Sequence, residues 1–201
     1  MKKLLFIVIA GFLLFSGYHL FFHSPNTKPR EIAADTIICF GDSLTFGTGA
    51  TDGMDYPSQL SRLIGKHVIN AGVPGDTTAR ALKRLKRDVL SESPDVVLIT
   101  LGGNDLKNGI AKDIAFGNLK IIVESIRNTG ALVIIGGLAF PFRDRGFGRA
   151  YRELADQTGT ILIPNILDGI MGNPKLMSDP IHPNDEGYKL MAEKFNKALS
   201  P

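Results

Sequence analysis

Asp179-Pro180-Ile181-His182 sets a carboxylate three residues before an imidazole. That spacing can bring both side chains to one side of a single turn, where the carboxylate fixes the ring tautomer and the ring deprotonates a hydroxyl. Gly41-Asp42-Ser43-Leu44-Thr45 offers such a hydroxyl in Ser43, in a turn straight after the apolar run Thr36-Ile37-Ile38-Cys39-Phe40. Of the four histidines, His19 and His23 lie in or beside an amino-terminal apolar stretch and His67 opens the second predicted strand, which leaves His182 as the base. A developing oxyanion needs aimed donors. The backbone N–H groups of Ser43 and Gly72 could supply two, and the side-chain amide of Asn104, in Gly102-Gly103-Asn104-Asp105, a third. Gly72 has no side chain to keep a substrate carbonyl away. Plainer readings stand beside these: Ser43 and Asp179 as helix caps, Gly72 and Asn104 as turn residues. Asn184 or Asp185 suits the cap of the last helix better than Asp179, and Asp42 reads as a residue that holds its turn.

The elements that must position these residues follow from hydrophobic pattern. Short apolar runs over 36–40, 67–71, 95–101, 131–136 and 160–163 read as strands. Longer amphipathic segments over 56–64, 77–90, 111–128, 147–158 and 184–199 read as helices. Runs such as Val96-Val97-Leu98-Ile99 are apolar throughout, as strands covered on both faces are. The alternation predicts an α/β fold, a parallel sheet with helices on both sides. Ligands in such sheets bind beyond the carboxyl ends of the strands, where Ser43, Gly72 and Asn104 all fall.

Composition excludes several function classes. The 201 residues suffice for one domain with a sizeable core. The pI near 9.0 suggests a basic protein. Yet residues 1–34 carry four Lys/Arg and one Glu, and the remainder is neutral. A nucleic-acid partner is therefore not expected. Lys2 and Lys3 precede an uncharged run from Leu4 to Phe22, long enough as a helix (roughly 28 Å) to span a bilayer. No good cleavage site follows, since Phe15-Ser16-Gly17 and Phe22-His23-Ser24 both put Phe at the −3 position and Ile32-Ala33-Ala34 comes late. Residues 1–22 thus read as a signal anchor in preference to a signal peptide, 23–35 as a linker and 36–201 as the exported domain. The single Cys39 permits no intrachain disulfide. Gly47-Thr48-Gly49 lacks the third glycine of a dinucleotide fingerprint, no phosphate loop occurs, and no histidine pair has metal-ligand spacing, so no cofactor or metal is expected. The basic run Arg80, Lys83, Arg84, Lys86, Arg87 reads as a solvated helix face, or else as a contact to anionic lipid headgroups.

Four blocks in this order, carried by Ser43, Gly72, Asn104 and Asp179/His182, resemble the SGNH hydrolase superfamily, also called GDSL esterases/lipases. The resemblance covers roughly residues 35–200, and within the superfamily it points to the bacterial thioesterase/arylesterase/lysophospholipase branch. It implies a flavodoxin-like three-layer fold with strand order 2-1-3-4-5. It also implies a serine ester hydrolase acting on aryl esters, acyl thioesters or lysophospholipids. The expected catalytic residues are Ser43, Asp179 and His182, with Ser43, Gly72 and Asn104 forming the oxyanion hole. Leu106, Phe140, Phe142 and Ile181 are the candidates for substrate contact, with Phe147 either lining the same path or packing in the core. The rival readings are a carbohydrate O-acetylesterase and, from another class, a non-catalytic binding module on the same fold.

Overall fold

The computed structural model describes residues 34–139 and 145–200. The expected anchor, the linker as far as residue 33, and the segment holding Phe140 and Phe142 lie outside these residues. Five parallel strands are present: β1 (Ile37–Gly41), β2 (Val68–Gly72), β3 (Val96–Thr100), β4 (Leu132–Gly136) and β5 (Ile161–Ile163). Their order across the sheet is β2-β1-β3-β4-β5. Every residue of β1 and β3 is buried, which explains their unbroken apolar sequence. The edge strands β2 and β5 are partly open to solvent.

The helices are α1 (Ser43–Phe46), α2 (Tyr56–Ile64), α3 (Thr78–Asp88), α4 (Gly103–Lys107), α5 (Lys112–Arg127), α6 (Phe147–Thr158) and α7 (Asp185–Leu199). Two groups pack separately, α2 with α7, and α3 with α5 with α6. The α2–α7 contact includes stacked Tyr56 and Phe195 rings, 5.2 Å apart. All five helices expected from periodicity form within two residues of their expected ends. At the carboxyl end of α3 the chain leaves the helix early, through a single 3-10 turn at Leu90–Glu92. Ser93 then takes a left-handed φ of 49° and Pro94 follows, a pair that cannot continue a helix. The last helix is capped by Asn184, whose Oδ1 accepts the Gly187 N–H at 3.1 Å.

Strand register sets up the site. Gly41 pairs with both Gly72 and Thr100, so the carboxyl ends of β1, β2 and β3 stop level with one another. The chain leaving each strand emerges at the same edge. A side chain at Gly41 is impossible here: a Cβ would lie 2.1 Å from Thr45 Oγ1 and 2.5 Å from Thr100 Oγ1. That close approach lets α1 fold back directly over the end of β1.

Candidate active site

Ser43 is the first residue of α1, and Asp42 caps that helix by accepting the Leu44 N–H at 3.0 Å. Capping holds the four-residue helix in place at the strand end. Asp42 is 3% exposed, and burial raises its carboxyl to about 7 despite the bond from Leu44 and the nearby His182. From the opposite end of the chain, the loop before α7 brings His182 so that Nε2 lies 3.1 Å from Ser43 Oγ. The other ring nitrogen, Nδ1, is 2.6 Å from Asp179 Oδ2. Asp179 Oδ1 accepts the backbone N–H groups of Ile181 and His182, each at 2.8 Å, which fixes the carboxylate against the turn it serves. The His182 hydrogen bond, followed by these backbone donors, holds the Asp179 carboxyl down at about 2. It is therefore an anion facing the imidazole across the whole neutral range. The two distant segments are also tied away from the reacting atoms: Tyr188 Oη donates to Thr48 O at 2.8 Å.

Asn104 sits in α4, just past β3. Its Nδ2 donates to Asp76 O at 2.9 Å and, more weakly, to Asp42 Oδ2 at 3.3 Å. The amide thus bridges the cap of α1 and the loop after β2. Asp105 beside it is fully buried and accepts both the N–H and the hydroxyl of Thr78, at 2.9 and 2.7 Å, which docks the start of α3 onto α4.

Gly72 does not fit its expected role. Its N–H donates to the side chain of Asn70, to Oδ1 at 3.0 Å, and so is already occupied. Its missing side chain serves packing instead, because a Cβ would fall 2.1 Å from Phe46 N and 2.6 Å from Phe46 Cα. Gly72 lets α1 lie against β2. Directly after it, Val73-Pro74-Gly75-Asp76 forms a turn with the Asp76 N–H donating to Val73 O at 3.1 Å. Gly75 has φ +79°, as the third position of a type II turn after proline requires. Among the described residues its N–H has no hydrogen-bond acceptor, and the same holds for the N–H of Ser43. A Cβ at Gly75 would meet nothing within 4 Å, so the space beside it is open. The Pro74-Gly75 pair is the sequence signal for this turn, whereas Gly72 stands out in the sequence because it directly follows the strand pattern.

Of the substrate-contact candidates, Ile181 is 46% exposed next to His182, and Leu106 is half-buried on α4. Phe147 belongs to the core: it is 2% exposed and its ring meets the edge of Phe116 at 5.2 Å. An apolar side chain that the expected contacts did not include, Phe46, is 54% exposed one helical turn from Ser43.

The geometry is that of an acyl-transfer site, and the comparisons agree with it. Esterase TesA of Pseudomonas aeruginosa is 33% identical over 183 residues, covering 86% of this chain and 91% of that protein. The thioesterase 1/protease 1/lysophospholipase L1 of Escherichia coli strain K12 is 28% identical over 180 residues, 86% of each chain. The crystal structure of TesA superposes with a TM-score of 0.78 at 30% identity, covering 83% of this chain and 98% of the other. Residues 39–190, which run from within β1 through the Ser43 turn and the other strands to beyond the His182 loop, match the GDSL-like lipase/acylhydrolase family, and this chain, a serine-type ester hydrolase with a five-stranded parallel α/β fold, belongs to it.

Proposed function

We propose that Ser43 is the nucleophile of this esterase, His182 its general base and Asp179 the group that orients and stabilises the imidazolium. The observation that carries this reading is the relay from Ser43 Oγ through His182, 3.1 Å to Nε2 and 2.6 Å from Nδ1 to the carboxylate. Ser43 Oγ attacks the acyl carbonyl as Nε2 takes its proton. The tetrahedral oxyanion is held by the N–H groups of Ser43 and Gly75 and by Asn104 Nδ2, with Gly75 in the place expected of Gly72. Collapse breaks the ester bond, and His182 returns the proton to the departing alcohol or thiol. Water, deprotonated by His182, then attacks the acyl-enzyme; the acid leaves and Ser43 recovers its hydrogen.

The substrates this reading favours are aryl esters, acyl thioesters and lysophospholipids, in line with the names of relatives that include an arylesterase of Vibrio mimicus. Exposed apolar side chains close in sequence to each member of the reacting pair, Phe46 three residues after Ser43 and Ile181 before His182, suit an acyl chain better than a sugar. Export is part of the same reading and rests on Lys2, Lys3 and the uncharged run Leu4–Phe22. Among the described residues, no helix is long and apolar enough to cross a membrane.

A fluorophosphonate ester tests the assignment. Stoichiometric labelling of Ser43, abolished in Ser43→Ala and in His182→Ala, is the expected result. Near-complete loss of activity in each single variant, with little further loss in the double, is expected because the groups act as one unit. Labelling of a different serine overturns the assignment.

A further inference from the structure

The sequence pattern groups Arg84 with a solvated basic face, but the structure buries it. Arg80, Lys83, Lys86 and Arg87 are exposed, whereas Arg84 is 8% exposed and lies under the carboxyl edge of the sheet. It falls on the same stripe of α3 as buried Thr78, Ala81 and Leu85, and that three- and four-residue spacing was the signal for its position.

The guanidinium is placed by four N–H donations. Nε donates to Asp76 Oδ2 at 2.6 Å, Nη2 to Gly41 O at 2.8 Å, and Nη1 to Ala71 O at 2.9 Å and Asp88 Oδ2 at 3.0 Å. Its plane is backed by the Phe40 ring, with the central carbon 4.4 Å from the ring centroid. Two of the acceptors are strand carbonyls, Gly41 at the end of β1 and Ala71 next to the end of β2, and the others are the side chains of Asp76, two residues before α3, and Asp88, its last residue. Only a planar fork reaches several directions at once in this way; an ammonium is a point charge on a flexible stem.

These partners lie next to the oxyanion donors. Gly41 is two residues before Ser43, and Asp76 directly follows Gly75. The backbone carbonyl of Asp76 accepts from Asn104 Nδ2, so Asp76 holds the third donor as well. Asp42, Asp76 and Asp105 are all buried at this edge, and Arg84 is the single buried cation among the described residues. Without it, the buried Asp76 carboxylate would keep only an ion pair with exposed Arg80, at 3.5 Å.

We propose that Arg84, acting through Asp76, is a positioning residue that sets the spacing between the Ser43, Gly75 and Asn104 donors. This inference rests on the acyl-transfer reading above. A misplacement of about 1 Å remote from the chemistry can cost on the order of 10²-fold in rate. The loss falls on kcat, because these donors engage an oxyanion that exists only in the transition state.

The test compares wild type, Arg84→Lys, Asp76→Asn and the double variant. Steady-state hydrolysis of a p-nitrophenyl ester gives kcat and KM, the rate of Ser43 phosphonylation by a fluorophosphonate reports the tetrahedral state, and circular dichroism with thermal melts monitors the fold. The expected result is a kcat lowered by roughly 10- to 100-fold in each single variant, with KM within about twofold. Phosphonylation should slow by the same factor, and the double variant should lose no more than about threefold beyond the worse single. A lowered melting temperature with unchanged kcat, or a raised KM with intact kcat, overturns the inference, as does full additivity of the two substitutions. Asp76→Asn keeps the side-chain volume and the carbonyl that Asn104 reaches. If Arg84→Lys does not fold, unchanged kcat in Asp76→Asn is sufficient to overturn the proposal. Absence of Ser43 labelling in wild type would instead remove the acyl-transfer reading itself.

Discussion

Replacing Asn104 by alanine separates two jobs of one amide, the anchoring bond in the structure and the proposed donation to the oxyanion. In the resting protein Nδ2 donates to Asp76 O at 2.9 Å and to Asp42 Oδ2 at 3.3 Å. The shorter bond anchors the loop after β2, and in the proposed role the hydrogen of the longer one turns to the substrate oxyanion. Loss of one oxyanion donor costs about 10²–10³-fold in kcat. The lower end of that range, about 10²-fold or roughly 2.7 kcal/mol, is expected here, because turning toward substrate gives up the Asp42 contact. A second, independent cost falls on folding. Asp76 is 2% exposed, and its carbonyl loses its side-chain donor, which destabilises the protein by about 1–3 kcal/mol. Steady-state hydrolysis of p-nitrophenyl butyrate, run well below the unfolding midpoint, reads the first effect, and urea unfolding reads the second. KM should hardly move. A kcat within about fivefold of wild type in a folded Asn104→Ala protein would refute the donor role. Intact kcat with a raised KM would make Asn104 a ground-state binder.

Stability should carry the signature of Asp42. Its carboxyl, held at about 7 by burial, binds its proton more tightly folded than unfolded, so its contribution to stability falls as pH rises from about 4 through 7. The loss amounts to at most about 4 kcal/mol; urea unfolding at pH 5 and pH 8 should show that Asp42→Asn is less sensitive to pH than wild type, and equal sensitivity would contradict the burial argument. Substrate preference should follow the apolar flank of the site: kcat/KM rises from acetyl to medium-chain esters by up to about fourfold per CH₂, and Ile181→Ala flattens the rise. Wild-type preference for acetate, with turnover of acetylated polysaccharide, would favour the O-acetylesterase reading.

The sequence by itself determined the strands, the long helices and one half of the candidate site. Apolar runs mark β1 and β3 because strands buried on both faces have no polar side to interrupt them. The Asp179–His182 unit was legible because its geometry is local, a three-residue turn closed by its own backbone N–H groups. Tertiary structure decided the rest. The helices that carry Ser43 and Asn104, four and five residues long, are too short for a hydrophobic period; the buried Asp42 cap holds the first, and the bonds from Asn104 to Asp76 and from Thr78 to Asp105 hold the second. Which glycine leaves its N–H unpaired depends on a side chain, Asn70, that reaches Gly72 and not Gly75. Arg84 followed the same rule. A charged residue in a run of charges looks solvated, and only strand carbonyls and a buried carboxylate, assembled from three separate segments, stabilise its burial. Sequence pattern records which side chains avoid water, whereas the partner of a particular donor is set when distant segments meet.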